Sequence, residues 1–182
     1  MTIELCTQEI DQITENFTTT FRHLTEQQLN FKPNPTTWSI AQNIDHLIVI
    51  NETYYPVIKA VRENRYQLPF IAKFNFMVNW LGKMILNSVE PLRKRKIKTF
   101  AIWEPSASNI DKNILEKFAH HQTQLKQWII DSKDLLEIGT IISSPANKNI
   151  VYKLEMAFEI IVTHEQRHFA QAKEILDLNQ FS

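Results

Sequence analysis

The chain has 182 residues, with twenty Lys or Arg against twenty Asp or Glu, so its formal net charge is zero. That length suffices for one domain with a sizeable core. The charge balance removes the general attraction to a polyanion on which nucleic-acid binders rely. Only two glycines, Gly82 and Gly139, exclude Gly-rich phosphate loops and argue against a many-turned β-fold.

The N-terminal stretch carries an acid at Glu4 and no apolar h-region, which predicts no signal peptide. Four long segments are predicted as helices. The first spans about Ile3 to Leu29, with Leu5, Ile10, Ile13, Phe17, Phe21 and Leu24 at helical intervals. It carries the single cysteine, Cys6, which excludes an internal disulfide and fits a reducing cytoplasm. No His or Asn stands near Cys6 in sequence, so a structural thiol is the plainer reading than a nucleophile. "KPNPTT", Lys32 to Thr37, stops the first helix with two prolines.

The second helix opens at Ser39, which stands in capping-box spacing with Gln42, and Trp38 just outside is a candidate staple. Ile40, Ala41, Ile44, Leu47 and Ile48 form its apolar stripe, and Pro56 is expected to kink or end it. A further helical stretch, about Ile71 to Val89, is rich in Phe, Met and Trp. Its greasiest window, Phe74 to Gly82, falls far short of the ~20 residues of a membrane span. Core packing or a dimer interface is the expected role of these aromatics, rather than a membrane surface. The basic run "LRKRKIK", Leu92 to Lys98, reads as a solvated loop and leads into an extended crossing segment between Pro91 and Pro105.

Ser108 is the expected cap of the third main helix, which carries Ile110, Ile114, Leu115, Phe118, Leu125, Trp128 and Ile129 on one face. "SSPANKN", Ser143 to Asn149, reads as a loop, and the fourth main helix is predicted from about Ile150 to Leu178. No internal repeat is evident. The expected architecture is one all-α, bundle-like domain over residues 1–182.

The fourth helix contains "THEQRHFAQ", Thr163 to Gln171, which matches the H-E-x-x-H signature of zinc proteases. On a helix His164 and His168 project about 40° apart, and Gln171 falls in the same sector as a candidate to orient a ligand or bound water. A protease of this signature needs a third ligand downstream. Gln171 stands where the signature's glycine would be and Glu174 where its third histidine would be, and only eight residues follow. No upstream β-sheet is predicted to align a peptide, so the protease reading fails. A catalytic zinc-type site takes three protein ligands, so the third must come from earlier in the chain. His46 alone has a suitable setting, among Asn43, Leu47 and Ile50 at the edge of an apolar stripe.

"WSIAQNIDHL" in the second helix, taken with "HEQRHFAQ" in the last, resembles the DinB-like, or YfiT-like, family of four-helix-bundle metalloproteins. The likeness covers nearly the whole chain, including the proline-containing loop and the "KTFAIWEP" crossing segment. It implies an all-α four-helix bundle with an extra short helix and a long crossing loop between helices 2 and 3. It also implies His46, His164 and His168 as ligands of one divalent ion, zinc or nickel, with Asn43 beside them. Relatives include S-transferases that use a low-molecular-weight thiol as cosubstrate, together with hydrolases. The resemblance therefore implies a metal-dependent S-transferase or hydrolase acting on a small-molecule substrate. The competing reading is a non-catalytic metal-binding or stress-response module that dimerises through an apolar helix face.

Two further residues bear on that choice. Glu165 lies about 100° round from His164, on the shoulder of the site, as a candidate general base or else a solvated helix residue. His121 is expected to point inward, either as a bonded core histidine or as a pocket-lining group or fourth ligand. The partners expected are a small molecule and a second copy in a homodimer, with neither nucleic acid nor membrane. The expected location is the cytoplasm.

Overall fold

The computed structural model describes residues 1–91 and 99–178. Helix α1, Ile3–Phe21, starts where the Thr2 hydroxyl accepts a bond from the Leu5 amide, and it buries Cys6, Ile10, Ile13, Phe17 and Phe21. It ends eight residues before the predicted Leu29. Thr25 adopts extended backbone and forms its own capping box with Gln28, which starts a separate short helix α2, Glu26–Leu29. A side chain that prefers to cap interrupts the helix that apolar periodicity alone would continue.

Helix α3, Ile40–Glu52, opens on the expected Ser39–Gln42 box. The chain breaks at Thr53 and resumes as α4, Tyr54–Arg62, so that Pro56 falls in a first turn, where its missing N–H costs nothing. Asn64, at φ 54°, takes the left-handed position that closes α4. A 3-10 turn, Phe70–Lys73, precedes α5, Asn75–Ser88. The basic run Leu92 to Lys98 lies outside the described residues. A second 3-10 turn, Ala101–Trp103, follows it.

Helix α6, Ile114–Asp131, begins after Asn113, so Ser108 is not its cap. Ile110 is buried without being helical. Its backbone is paired by the Asn30 side chain, which donates to the Ile110 carbonyl at 2.7 Å and accepts from its amide at 2.8 Å. The short helix α7, Lys133–Glu137, ends on Gly139 at φ 66°, a conformation that favours glycine.

The predicted loop Ser143 to Asn149 is instead part of a β-hairpin. Strand β1, Ile141–Ser144, pairs antiparallel with β2, Asn147–Lys153, Ile142 standing opposite Tyr152. Helix α8 consequently starts at Leu154, whose amide donates to the Thr140 carbonyl at 2.8 Å, and runs to Leu178. The β-branched run Ile150–Val151 followed by Tyr152 satisfies its backbone in the ladder rather than in the first turn of the helix.

The architecture is a four-helix bundle with a small hairpin. Helices α1 and α3 each pack on both α6 and α8, while α5 lies against β2 and α8. The core between the four main helices is built from Phe17, Phe21, Ile44, Leu47, Phe118, Leu125, Phe158 and Ile161. Ala72, Val78, Leu81 and Val151 form a separate small cluster under α5.

Candidate metal centre

Helices α3 and α8 face each other across the bundle, and this contact brings His46 to His164 and His168. One ring nitrogen from each of the three lies within 4.8 Å of the others. Ring centroids are 5.2 Å apart for His46–His164, 4.7 Å for His46–His168 and 4.4 Å for His164–His168. The Nε2 atoms of His164 and His168 are 3.0 Å apart. Two imidazoles bound at ~2.0–2.1 Å and separated by about 90° at one ion would stand at that same spacing.

The orientation of two rings is fixed from behind. His46 Nδ1–H donates to the Trp103 carbonyl in a short bond, which leaves Nε2 as its lone-pair nitrogen. His168 Nδ1–H donates to Asn43 Oδ1 at 2.7 Å, and Asn43 in turn donates to the Ser39 carbonyl at 2.8 Å. The residue that caps α3 thus also sets the amide that sets His168. Trp103 is itself held, because the segment around it runs along α3. Trp103 Nε1–H donates to Thr53 at 3.1 Å, the Ser106 amide to Asp45 at 2.6 Å, and Gln42 to the Ala107 carbonyl at 3.2 Å. Trp38 walls the cluster, tilted against His46 at 4.7 Å and stacked near His168 at 5.9 Å.

All three imidazoles are held neutral. Burial lowers the His46 pKa to about 4, against the opposing effect of its bond to Trp103. Burial likewise holds His164 and His168 well below the ordinary histidine value, helped by their neighbouring imidazoles and by the Arg167 guanidinium. Arg167 also donates to the Glu90 carbonyl at 2.9 Å, tying α8 to the end of α5. Neutral nitrogens with lone pairs turned to a common point are the donor set a divalent ion takes. The residues present fit such an ion.

The remaining candidates divide. Asn43 bonds the Nδ1 of His168, the nitrogen turned away from the other two rings. Gln171 is half-buried on α8. His121 points inward as expected, 3% exposed, with its ring edge-on to Trp128 at 6.0 Å and both nitrogens lacking a partner. Burial lowers its pKa to about 4. Neither His121 nor Glu165 joins the three-histidine group.

Glu165 is fully buried, not a solvated helix residue, and both its oxygens are occupied. Asn51 Nδ2 donates to one and Gln122 Nε2 to the other, each at 2.7 Å. Its pKa rises to about 7, because burial outweighs those two bonds. The Cys6 thiol is buried and pushed up to about 12, which makes it inert as a nucleophile.

Sequence reasoning missed the roles of Trp103, Arg167, Asn51 and Gln122. A polar residue on an otherwise apolar helical stripe, as Asn51 and Gln122 are, was the available signal for the last two. No helix among the described residues is long and apolar enough to cross a membrane.

No curated protein and no solved structure matches the chain. The family model described as the DinB superfamily matches residues 9–172, a span that includes all three converging histidines and the helices that carry them. The chain belongs to the DinB superfamily.

Proposed function

We propose that the protein binds one divalent ion, zinc or nickel, through His46, His164 and His168, and uses it in a reaction of a small-molecule substrate. The reaction is transfer of a low-molecular-weight thiol onto an electrophile, or hydrolysis of an ester or amide. One observation carries the reading: three neutral imidazole nitrogens converge, two of them with their tautomers set by Trp103 and Asn43. A divalent ion held there supplies Lewis-acid chemistry, lowering the pKa of a water or thiol that reaches it.

The protein's own groups do the positioning. The Trp103 carbonyl and Asn43 keep the rings turned inward, and Trp38 shields two of them from bulk water. His164, the half-buried member of the three, marks the side from which a substrate arrives. Among the described residues no fourth His, Cys, Asp or Glu joins the group, which favours an enzyme over a closed structural site.

Metal analysis of the purified protein beside a His46→Ala variant tests the site. One ion per chain is expected in the wild type and a background level in the variant; equal content in both would refute it. A screen of the loaded protein with thiol–electrophile pairs and with esters then tests the reaction. Absence of turnover with full metal occupancy would favour the non-catalytic module.

A further inference from the structure

We propose that the outer face of α5 and the 3-10 turn before it is the contact surface between two copies of this chain. The face is apolar where a surface helix is ordinarily polar. Phe76, Trp80 and Met84 recur every fourth residue along α5 and are 69%, 57% and 40% exposed. Leu68, Phe70 and Phe74 extend the patch at 45%, 69% and 42%. Phe74 joins the two parts, its ring 5.4 Å from Phe70 and 6.2 Å from Phe76.

Four aromatic side chains of ~150–250 Å² each, exposed to that degree, together with Leu68 and Met84, offer roughly 600–700 Å² of apolar surface. That exceeds the largest patch ordinary for a monomer, about 300–600 Å², and approaches the ~800 Å² per partner of a stable interface.

The face is also rigid, which lowers the cost of docking. Val78 and Leu81 anchor the inner side of α5, and Gly82 brings its backbone onto Tyr152 and Met156. A row at i, i+4 and i+8 is a ridge that seats in the groove of an identical helix.

The polar groups between the rings favour a second copy over lipid. They are the amides of Asn75 and Asn79 and the ammonium groups of Lys83 and of Lys73, the latter 5.1 Å over the Phe70 ring, all exposed. Amides both donate and accept and so complement themselves across a two-fold axis. A lipid-seeking helix instead lines its flanks with Lys and Arg and leaves its opposite face in water. The opposite face of α5 is packed on β2 and α8.

Sedimentation velocity on the full-length chain tests the proposal. At about 100 µM the wild type is expected to be a dimer. A Phe76→Asp/Trp80→Asp double variant is expected to be a monomer with unchanged helical circular dichroism. A Lys83→Cys variant is expected to form a covalent dimer on mild oxidation, because Cys6 is buried. The same change at exposed Glu116 on α6 is expected to form none. The cross-link stays decisive even if the double variant fails to fold.

A monomeric wild type, a dimeric double variant, or equal cross-linking at both positions would overturn the proposal. Monomeric wild type that co-sediments with phosphatidylserine-containing vesicles would overturn it too and assign the face to lipid. None of these outcomes depends on metal occupancy or turnover, so they are distinguishable from failure of the metal site.

Discussion

Asn43 reaches His168 through a single amide, with its oxygen on the ring and its nitrogen on the Ser39 carbonyl. Asn43→Leu keeps all three histidines but releases the His168 ring. Metal affinity is expected to fall about 10- to 100-fold, read by competition with a chromophoric chelator. His121 presents the opposite case, a buried imidazole whose two nitrogens have no partner. His121→Leu is expected to raise stability at neutral pH by about 1 kcal/mol, since it removes a desolvated polar group without orphaning another. Its pH dependence has a defined sign. The folded state refuses the proton until about pH 4, whereas the unfolded chain accepts it near 6.5. The cost of His121 to stability is therefore smallest above pH 6.5 and grows as pH falls toward 4. Urea titrations at several pH values should show the variant losing less on acidification than the wild type, by up to about 3 kcal/mol.

Elements were legible in the sequence where a side chain announces a boundary and no competing signal lies nearby. The Ser39–Gln42 box of α3 is such a boundary. Ser39→Ala is expected to cost about 1 kcal/mol in thermal or denaturant unfolding. The end of α1 was not legible, because periodicity runs on through Leu24 and Leu29 while Thr25 caps a new helix. The hairpin was hidden for a related reason. Ile150, Val151 and Tyr152 suit the start of an apolar helix equally well, and only pairing with Ile142 and Ser143 makes them a strand. Helix α5 depends on one residue that no pattern marks. A Cβ at Gly82 would stand 3.0 Å from Met156 Cγ and 3.1 Å from Tyr152 Cβ. Met156 can yield, but the Tyr152 hydroxyl is tied to Tyr54 at 2.9 Å. Gly82→Ala is expected to destabilise by about 1–3 kcal/mol, with loss of the packing between α5 and the hairpin.

Across the molecule, Glu165 links three of the four main helices, standing on α8 and accepting from α3 through Asn51 and from α6 through Gln122. Glu165→Leu strands two buried amides and is expected to cost about 2–5 kcal/mol, measurable as a fall in the denaturant midpoint. The bundle and the three converging histidines were readable from helical spacing and from the resemblance, because they rest on side chains, and side chains are what a sequence records. The setting of His46 was not, since its partner is the Trp103 carbonyl. A peptide oxygen belongs to every residue alike, so no substitution at position 103 other than a change of route deletes it. The constraint falls instead on the groups that guide the route: Asp45 and Gln42, and the Trp103 indole with its partner Thr53. Losing the Asp45 or Gln42 contact, or the indole that bonds Thr53, would free the segment whose carbonyl sets the His46 ring.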